Sequence, residues 1–401
     1  MRSFGEKVKN KALRYLKNAF LRPFYERDTP RSLAVLAFSS LLLHALFCTV
    51  LGHARFLGLY HLETADLFGD FFAALHDAAK GAAAYSERGV IYPPLSNLLL
   101  RLLARFLPTA YLTEANAASW RQYNAAILLY LLFFVCLTVL LFLALRHFTE
   151  NTAASLALTL SFPVFFLLER GNVLLTALLP LLAFVRYFDS ECAWRRELSL
   201  FALALSAALK LYPLSFGVLL LPKRRFRALL RVFCYTAGLF LLPSFAFGGP
   251  MALWLMVKNA ARFTATGQNA VHFFEALGVS PRVGTLLLAL FYALLFFVLL
   301  FLAFRARLEK WQLSALCAAS LLCFSSVFSA YNWLLFLPSL LALFEKKCQN
   351  GIEWLCFFII SAPFFLYLPK RYQDPWLIVL LLLLFAAILL PQVRRFWKRE
   401  G

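Results

Sequence analysis

Acid is scarce in this sequence. Its 401 residues hold 20 Asp and Glu against 40 Lys and Arg, and residues of either charge make up only 15%. With 62% of side chains hydrophobic, a chain of this length has too little polar surface to cover its apolar content in water. That excludes a soluble globular protein and indicates a polytopic membrane protein. It also removes nucleic acid as the reason for the net charge of +20, because basic residues gather in cytoplasmic loops and against anionic lipid. The eight Cys form no CxxC pair, and the expected topology puts none in a water-exposed outer loop, so no disulfide framework is implied. No nucleotide-binding loop is seen, and His44, His53, His61, His76 and His147 show no metal-ligand pattern. A cleaved signal peptide is not expected, since the first apolar run starts near Ser32, after a long basic stretch.

What is present can be ordered along the chain. Residues 1–31 carry nine Lys/Arg, with Phe4, Val8, Ala12, Leu16 and Phe20 at near-helical spacing. This reads as a basic helix on the inner membrane surface, with the N-terminus inside. A single transmembrane domain is expected over 32–392, followed by a basic cytoplasmic tail at 393–401. The first span covers Leu33 to Leu51, and 52–121 form one large outer loop. In it, "ETADLFGDFFAALHDAAKG" puts Glu63, Asp66, Asp70 and Asp77 on one helical face and Leu67, Phe71, Leu75 and Ala78 on the other. The later run "YPPLSNLLLRLLARFLP" offers about 15 residues where roughly 20 are needed to cross. With Asn97, Arg101 and Arg105 as its polar stripe, it reads as a second juxtamembrane helix with both arginines at lipid headgroups.

Further spans are expected at 122–146, 151–168, 173–188, 232–248, 283–304, 312–330, 332–344, 355–368 and 376–392. The fold class is therefore all-α, with about 10–12 transmembrane helices. Segments assigned to the inside hold 27 of the 40 Lys and Arg, which supports the layout with both termini cytoplasmic. "LSLFALALSAALKLYPLSFGVLLLP" lies between two basic loops that both favour the inside. A helix broken at Pro213 satisfies both ends, and broken helices line protein-bounded cavities. Lys210 and Tyr212 then sit at the break.

The acidic helix, "YPPL", "ERGN", "KLYP", "TGQNAVHFF" and "FSAYNW" converge on the outer side. A carboxylate beside cations at a membrane surface suits glycosyl transfer from a lipid phosphate. The acceptor hydroxyl must lose a proton to a base, and the leaving phosphate needs cations. Lys210 in an apolar run has the donor phosphate as its natural partner, because an unpaired charge there is costly. Arg170 and His272 are further phosphate candidates, with helix termination the other reading for Arg170. Tyr92, Asn172 and Tyr212 suit sugar or phosphate contacts, or turn building. Asp77, Asn269, Tyr331 and Asn332 are weaker candidates, Asp77 as a brace.

The stretch "DLFGDFFAALHDAAKGAAAYSERGVIYPPLSNLL", followed in order by "RGN", "KLYP" and "SAYNW", resembles the GT-C mannosyltransferases that use polyprenyl-phosphate mannose. The bacterial family containing phosphatidylinositol-mannoside mannosyltransferases and, more distantly, glycosylphosphatidylinositol mannosyltransferase I are the relatives in question. The resemblance implies a GT-C-like bundle and an inverting glycosyltransferase in a bacterial plasma membrane, its active site facing outside, with Asp70 as general base. The implied donor is a polyprenyl-phosphate sugar, with no separate cofactor and no metal; the acceptor is a glycolipid, glycan or protein. The eukaryotic relatives carry an Asp-x-Asp pair where this chain has Phe68-Gly69-Asp70, which fits a single base and no metal pair. Against this stand a lipid-linked-saccharide transporter or flippase, a non-catalytic scaffold, and a polysaccharide polymerase or ligase. No repeat relates the two halves as transporters often show.

Overall fold

A computed structural model describes residues 26, 28–51, 67–108, 117–266, 278–305, 308–323, 329–366 and 370–400. Among the described residues there are 16 α-helices and no strand. The chain is an all-α polytopic membrane protein. Four described segments are long and apolar enough to cross a membrane: Asn124–Thr149, Thr152–Arg170, Phe226–Phe247 and Pro375–Gln392. Along the first, Ala126, Tyr130, Phe134, Leu137, Leu141 and Leu145 are buried while Leu128, Leu132, Val135, Val139 and Leu143 are exposed. A helix apolar on both faces, with one face uncovered by protein, has lipid as its solvent.

The chain divides into two compact units. One comprises 1–60, 142–164 and 339–401. In it the helix Thr29–Leu51 packs against Thr152–Thr159 and Gly351–Phe365, and the last also packs against Lys370–Glu400. Ser40 donates to the Phe365 carbonyl at 2.8 Å. Buried Glu353 accepts from Lys346 Nζ at 2.5 Å, the Gln349 amide at 2.6 Å and Asn350 Nδ2 at 2.9 Å, so this charge is structural. The last helix, Lys370–Glu400, continues through the expected tail, whereas the expected basic helix at 1–31 lies almost wholly outside the described residues.

The other unit, 61–141 and 165–338, carries the elements that matter for function. They are α1 (Gly69–Ala79), α2 (Pro94–Ala104), the part of α3 (Asn124–Thr149) up to residue 141, the part of α4 (Phe162–Arg170) from residue 165, α5 (Leu174–Tyr187), α6 (Ala193–Leu209) and α7 (Phe226–Ser244). Helix α6 packs between α5 and α7, and α1 packs on α2. As the spacing predicts, Phe71, Leu75 and Ala78 of α1 are fully buried. Glu63 and Asp66 lie outside the described residues, and α1 starts at Gly69.

Three expectations change. Asn97 and Arg101 of the polar stripe of α2 turn to protein partners, while Arg105 stays exposed. Asn97 is fully buried and donates to the Tyr85 hydroxyl at 2.7 Å. Arg101 donates to the Ala246 carbonyl at 2.8 Å with its guanidinium over Phe247, while the apolar Leu102 and Phe106 are exposed. The cause is the solvent: beside lipid, polar groups turn inward to protein partners. The break after α6 falls at Lys210, whose backbone is extended (φ −154°, ψ 123°), and not at Pro213. A 3-10 helix, Tyr212–Leu220, begins there with Pro213 in its first turn, where a missing N–H disrupts nothing. Finally, the expected spans at 312–330 and 332–344 are the 13-residue helix Lys310–Leu322, a 3-10 helix Ala330–Phe336 and the 10-residue helix Leu337–Lys346. Neither helix alone has the roughly 20 residues of a crossing.

Candidate active site

Three chain breaks in the second unit meet at one point. The first is the start of α1. Asp70 stands in its first turn, where the unpaired amides of the helix N-terminus favour a carboxylate. The residue before α1, Phe68, has φ 58°, a left-handed conformation unusual for a large side chain. Two contacts hold it: its amide donates to the Glu169 carbonyl at 2.6 Å, and its ring lies 4.1 Å from that of Tyr130. The Tyr130 hydroxyl in turn donates to the Leu168 carbonyl.

The second break is "RGN" at the end of α4. The amide of Gly171 donates to Leu168 O and that of Asn172 to Leu167 O, each at 3.0 Å. This is a Schellman ending, which requires a left-handed residue at Gly171, and φ there is 70°. A Cβ on Gly171 would stand 2.8 Å from the Phe71 Cβ. Glycine is therefore needed both for the turn and for the closeness of α1. The closeness is what joins Asp70 to the RGN turn: Arg170 Nη2 lies 2.8 Å from Asp70 Oδ1, and Asn172 Nδ2 lies 2.9 Å from Asp70 Oδ2.

The third break is Lys210. Its ammonium donates to Asn172 Oδ1 at 2.6 Å and lies 5.4 Å from the Tyr212 ring centroid and 5.9 Å from that of Tyr331. These are cation–π distances. The Tyr331 hydroxyl accepts from Asn172 Nδ2 at 3.2 Å, and the Tyr212 hydroxyl donates to Asn332 Oδ1 at 2.9 Å. The Tyr92 phenol lies within electrostatic reach of Asp70, Arg170 and Tyr331; burial, then the Asp70 charge, push its ionisation well above the ordinary tyrosine range. It remains a neutral donor.

Seven of the sequence-nominated residues thus share one hydrogen-bonded cluster or its edge: Asp70, Arg170, Asn172, Lys210, Tyr212, Tyr331 and Asn332, with Tyr92 beside it. Asp77 is not among them. It sits 3.4 Å from His76 Nδ1, at the far end of α1, its carboxyl pushed up by burial and pulled partly back by His76. His272 and Asn269 lie outside the described residues. Sequence reasoning passed over Phe68, Gly171 and Tyr130, which bring α1 to the RGN turn; the Gly of "RGN" was the available signal. Among the described residues no three His, Cys, Asp or Glu side chains converge as a metal-ion site.

The cluster places a partly exposed carboxylate and two cations on the helix ends of an all-α membrane protein, so a proton acceptor and groups able to stabilise negative charge stand side by side. The sequence model of glycosyltransferase family 87 matches residues 91–338, more than half the chain, and the chain belongs to that family, which is of GT-C type. It is therefore a membrane glycosyltransferase. The matched segment contains Tyr92, Arg170, Asn172, Lys210, Tyr212, Tyr331 and Asn332, whereas Asp70 precedes it. Comparison with curated proteins and with solved structures returns no significant match.

Proposed function

We propose that the protein transfers a hexose, mannose by resemblance, from a polyprenyl-phosphate carrier to an acceptor hydroxyl, with inversion at the anomeric carbon. The observation that carries this reading is the bridge Lys210–Asn172–Asp70, which sets a cation and a carboxylate on opposite sides of one amide.

In the reaction the acceptor oxygen bonds to the anomeric carbon from the face opposite the phosphate. Its proton passes to Asp70 as the bond forms. The bond between anomeric carbon and phosphate oxygen breaks, and the electron pair leaves with the polyprenyl phosphate. Lys210 and Arg170 stabilise the charge that grows there. Of Lys210's three N–H donors one is engaged by Asn172, which leaves two for phosphate oxygens. Arg170 and Asn172 each take one lone pair of Asp70, and a carboxylate has others to accept the proton. The scheme uses neither metal nor nucleotide. His272 is a further phosphate partner on sequence grounds. The positive-inside bias supports a site on the outer face with both termini cytoplasmic, and the resemblance points to a bacterial plasma membrane. The acceptor is a glycolipid, glycan or protein.

The test is transfer of labelled sugar by purified protein in lipid, supplied with polyprenyl-phosphate mannose and a membrane-lipid extract. Labelled product is expected, and donor hydrolysis alone would mean that the acceptor is missing from the extract. No consumption of any of a panel of polyprenyl-phosphate sugars, together with turnover of a nucleotide sugar, would contradict the donor class.

A further inference from the structure

We propose that Asn172 is a positioning residue that holds Asp70 and Lys210 in fixed register, and not a sugar or phosphate contact. What the register serves rests on the glycosyl-transfer reading above; its existence rests on hydrogen bonds alone. Asn172 is 4% exposed. An Asn side chain has two N–H donors and an oxygen with two lone pairs, and here all four are taken. Nδ2 donates to Asp70 Oδ2 at 2.9 Å and to the Tyr331 hydroxyl at 3.2 Å. Oδ1 accepts from Lys210 Nζ at 2.6 Å and from the Leu174 amide, the first of α5, at 3.1 Å. No group is left over for a substrate.

The amide cannot be turned over. An ammonium and a backbone N–H only donate, and a carboxylate only accepts, so Oδ1 must face Lys210 and Nδ2 must face Asp70. No other side chain of this size offers that pattern. Asp would set a second carboxylate against Asp70, Gln is a methylene too long, and Ala would leave Asp70 and Lys210 unbridged. The arrangement also couples the two ends. The Lys210 charge polarises the amide and strengthens its N–H bonds to Asp70. A lipid phosphate that draws on that charge loosens the hold on Asp70, so the carboxylate becomes the better proton acceptor when the donor is in place.

Two measurements test this. In the first, Asn172→Ala and the equal-sized Asn172→Asp are assayed with labelled polyprenyl-phosphate mannose for kcat, donor KM and pH dependence. For Asn172→Ala, kcat is expected to fall about 10²-fold, the scale of a misplaced reacting group, with donor KM little changed. For Asn172→Asp, the two carboxylates share a proton, so the acidic limb of the rate profile moves to higher pH. A rise in donor KM with kcat and the pH limb unchanged would make Asn172 a substrate contact and overturn the proposal. So would wild-type kinetics.

The second measurement needs no substrate. Melting temperatures of Asn172→Ala, Lys210→Ala and the double variant in lipid report coupling between the pair. A double variant no less stable than the weaker single variant is expected, because both changes break the same bridge. Additive losses would overturn the node. Coupled melting in a protein whose wild type uses no lipid-phosphate donor would instead fault the proposed function and leave the node standing.

Discussion

Replacing Gly171 by Ala probes the contact that brings the site together. Its magnitude can be worked from two terms. Gly171 has φ 70°, and a non-glycine residue in that left-handed region costs roughly 1–2 kcal/mol. The new Cβ would also stand 2.8 Å from the Phe71 Cβ and 3.1 Å from the Phe71 amide nitrogen. Neither neighbour is a flexible side-chain end, so α1 or the α4 end must shift, an overpacking cost of about 1–3 kcal/mol. The sum is about 2–5 kcal/mol. Gly89 supplies the control: its φ is 67°, but nothing lies within 4 Å of the Cβ position, so Gly89→Ala carries the first term alone. Melting in lipid should therefore rank wild type above Gly89→Ala and Gly89→Ala above Gly171→Ala. Because the shift parts Asp70 from Arg170 and Asn172, Gly171→Ala should also lose about 10²-fold in turnover, and Gly89→Ala little. Equal stability and equal turnover in the two variants would refute the argument that close approach of α1 builds the site.

Two further outcomes are expected. Lys210→Met keeps the length of the side chain and removes its charge; it should lower kcat by about 10²–10³-fold, the usual loss when a group aimed at developing charge is removed, with membrane insertion intact. Wild-type kcat in that variant would remove Lys210 from the reaction. Asp77 is a pH-sensitive position. Burial raises its carboxyl above the ordinary range, so the ionised form opposes folding, and that penalty is present above the raised value and absent below the unfolded value of about 3.9. Asp77→Asn should accordingly melt higher than wild type near neutral pH, the gap closing as pH falls towards 4. Asp77→Asn melting lower than wild type near neutral pH would show that the His76 contact dominates instead.

Much of the site was legible in the residues, and for physical reasons. Asp70 stood on a helix whose apolar face was plain from Phe71, Leu75 and Ala78, and all three are buried. Lys210 was conspicuous as a charge in an apolar run, and the chain does break there. The break was expected at Pro213 because proline is the usual breaker, but a proline in the first turn of a 3-10 helix begins an element as readily as it ends one. The orientation of α2 was misread for a different reason. Headgroups are expected for Arg101 and Arg105 because a local pattern does not show distant partners, whereas Asn97 and Arg101 meet a phenol and a backbone carbonyl, and Phe106 faces outward. The pairing of Asp70 with Asn172 spans 102 positions. It depends on a left-handed Phe68 and a glycine too close to Phe71 for a Cβ, neither of which leaves a periodic trace.

The central claim is that Asp70 takes the acceptor's proton, and the most direct measurement is single-turnover transfer by wild type and Asp70→Asn in the same lipid. The amide keeps the size of the carboxylate and removes its charge and its basicity. The account predicts that Asp70→Asn still binds the polyprenyl-phosphate donor and remains folded, but transfers sugar more slowly by about 10²–10⁴-fold, the range for loss of a general base. Transfer at the wild-type rate by a folded Asp70→Asn protein would contradict it.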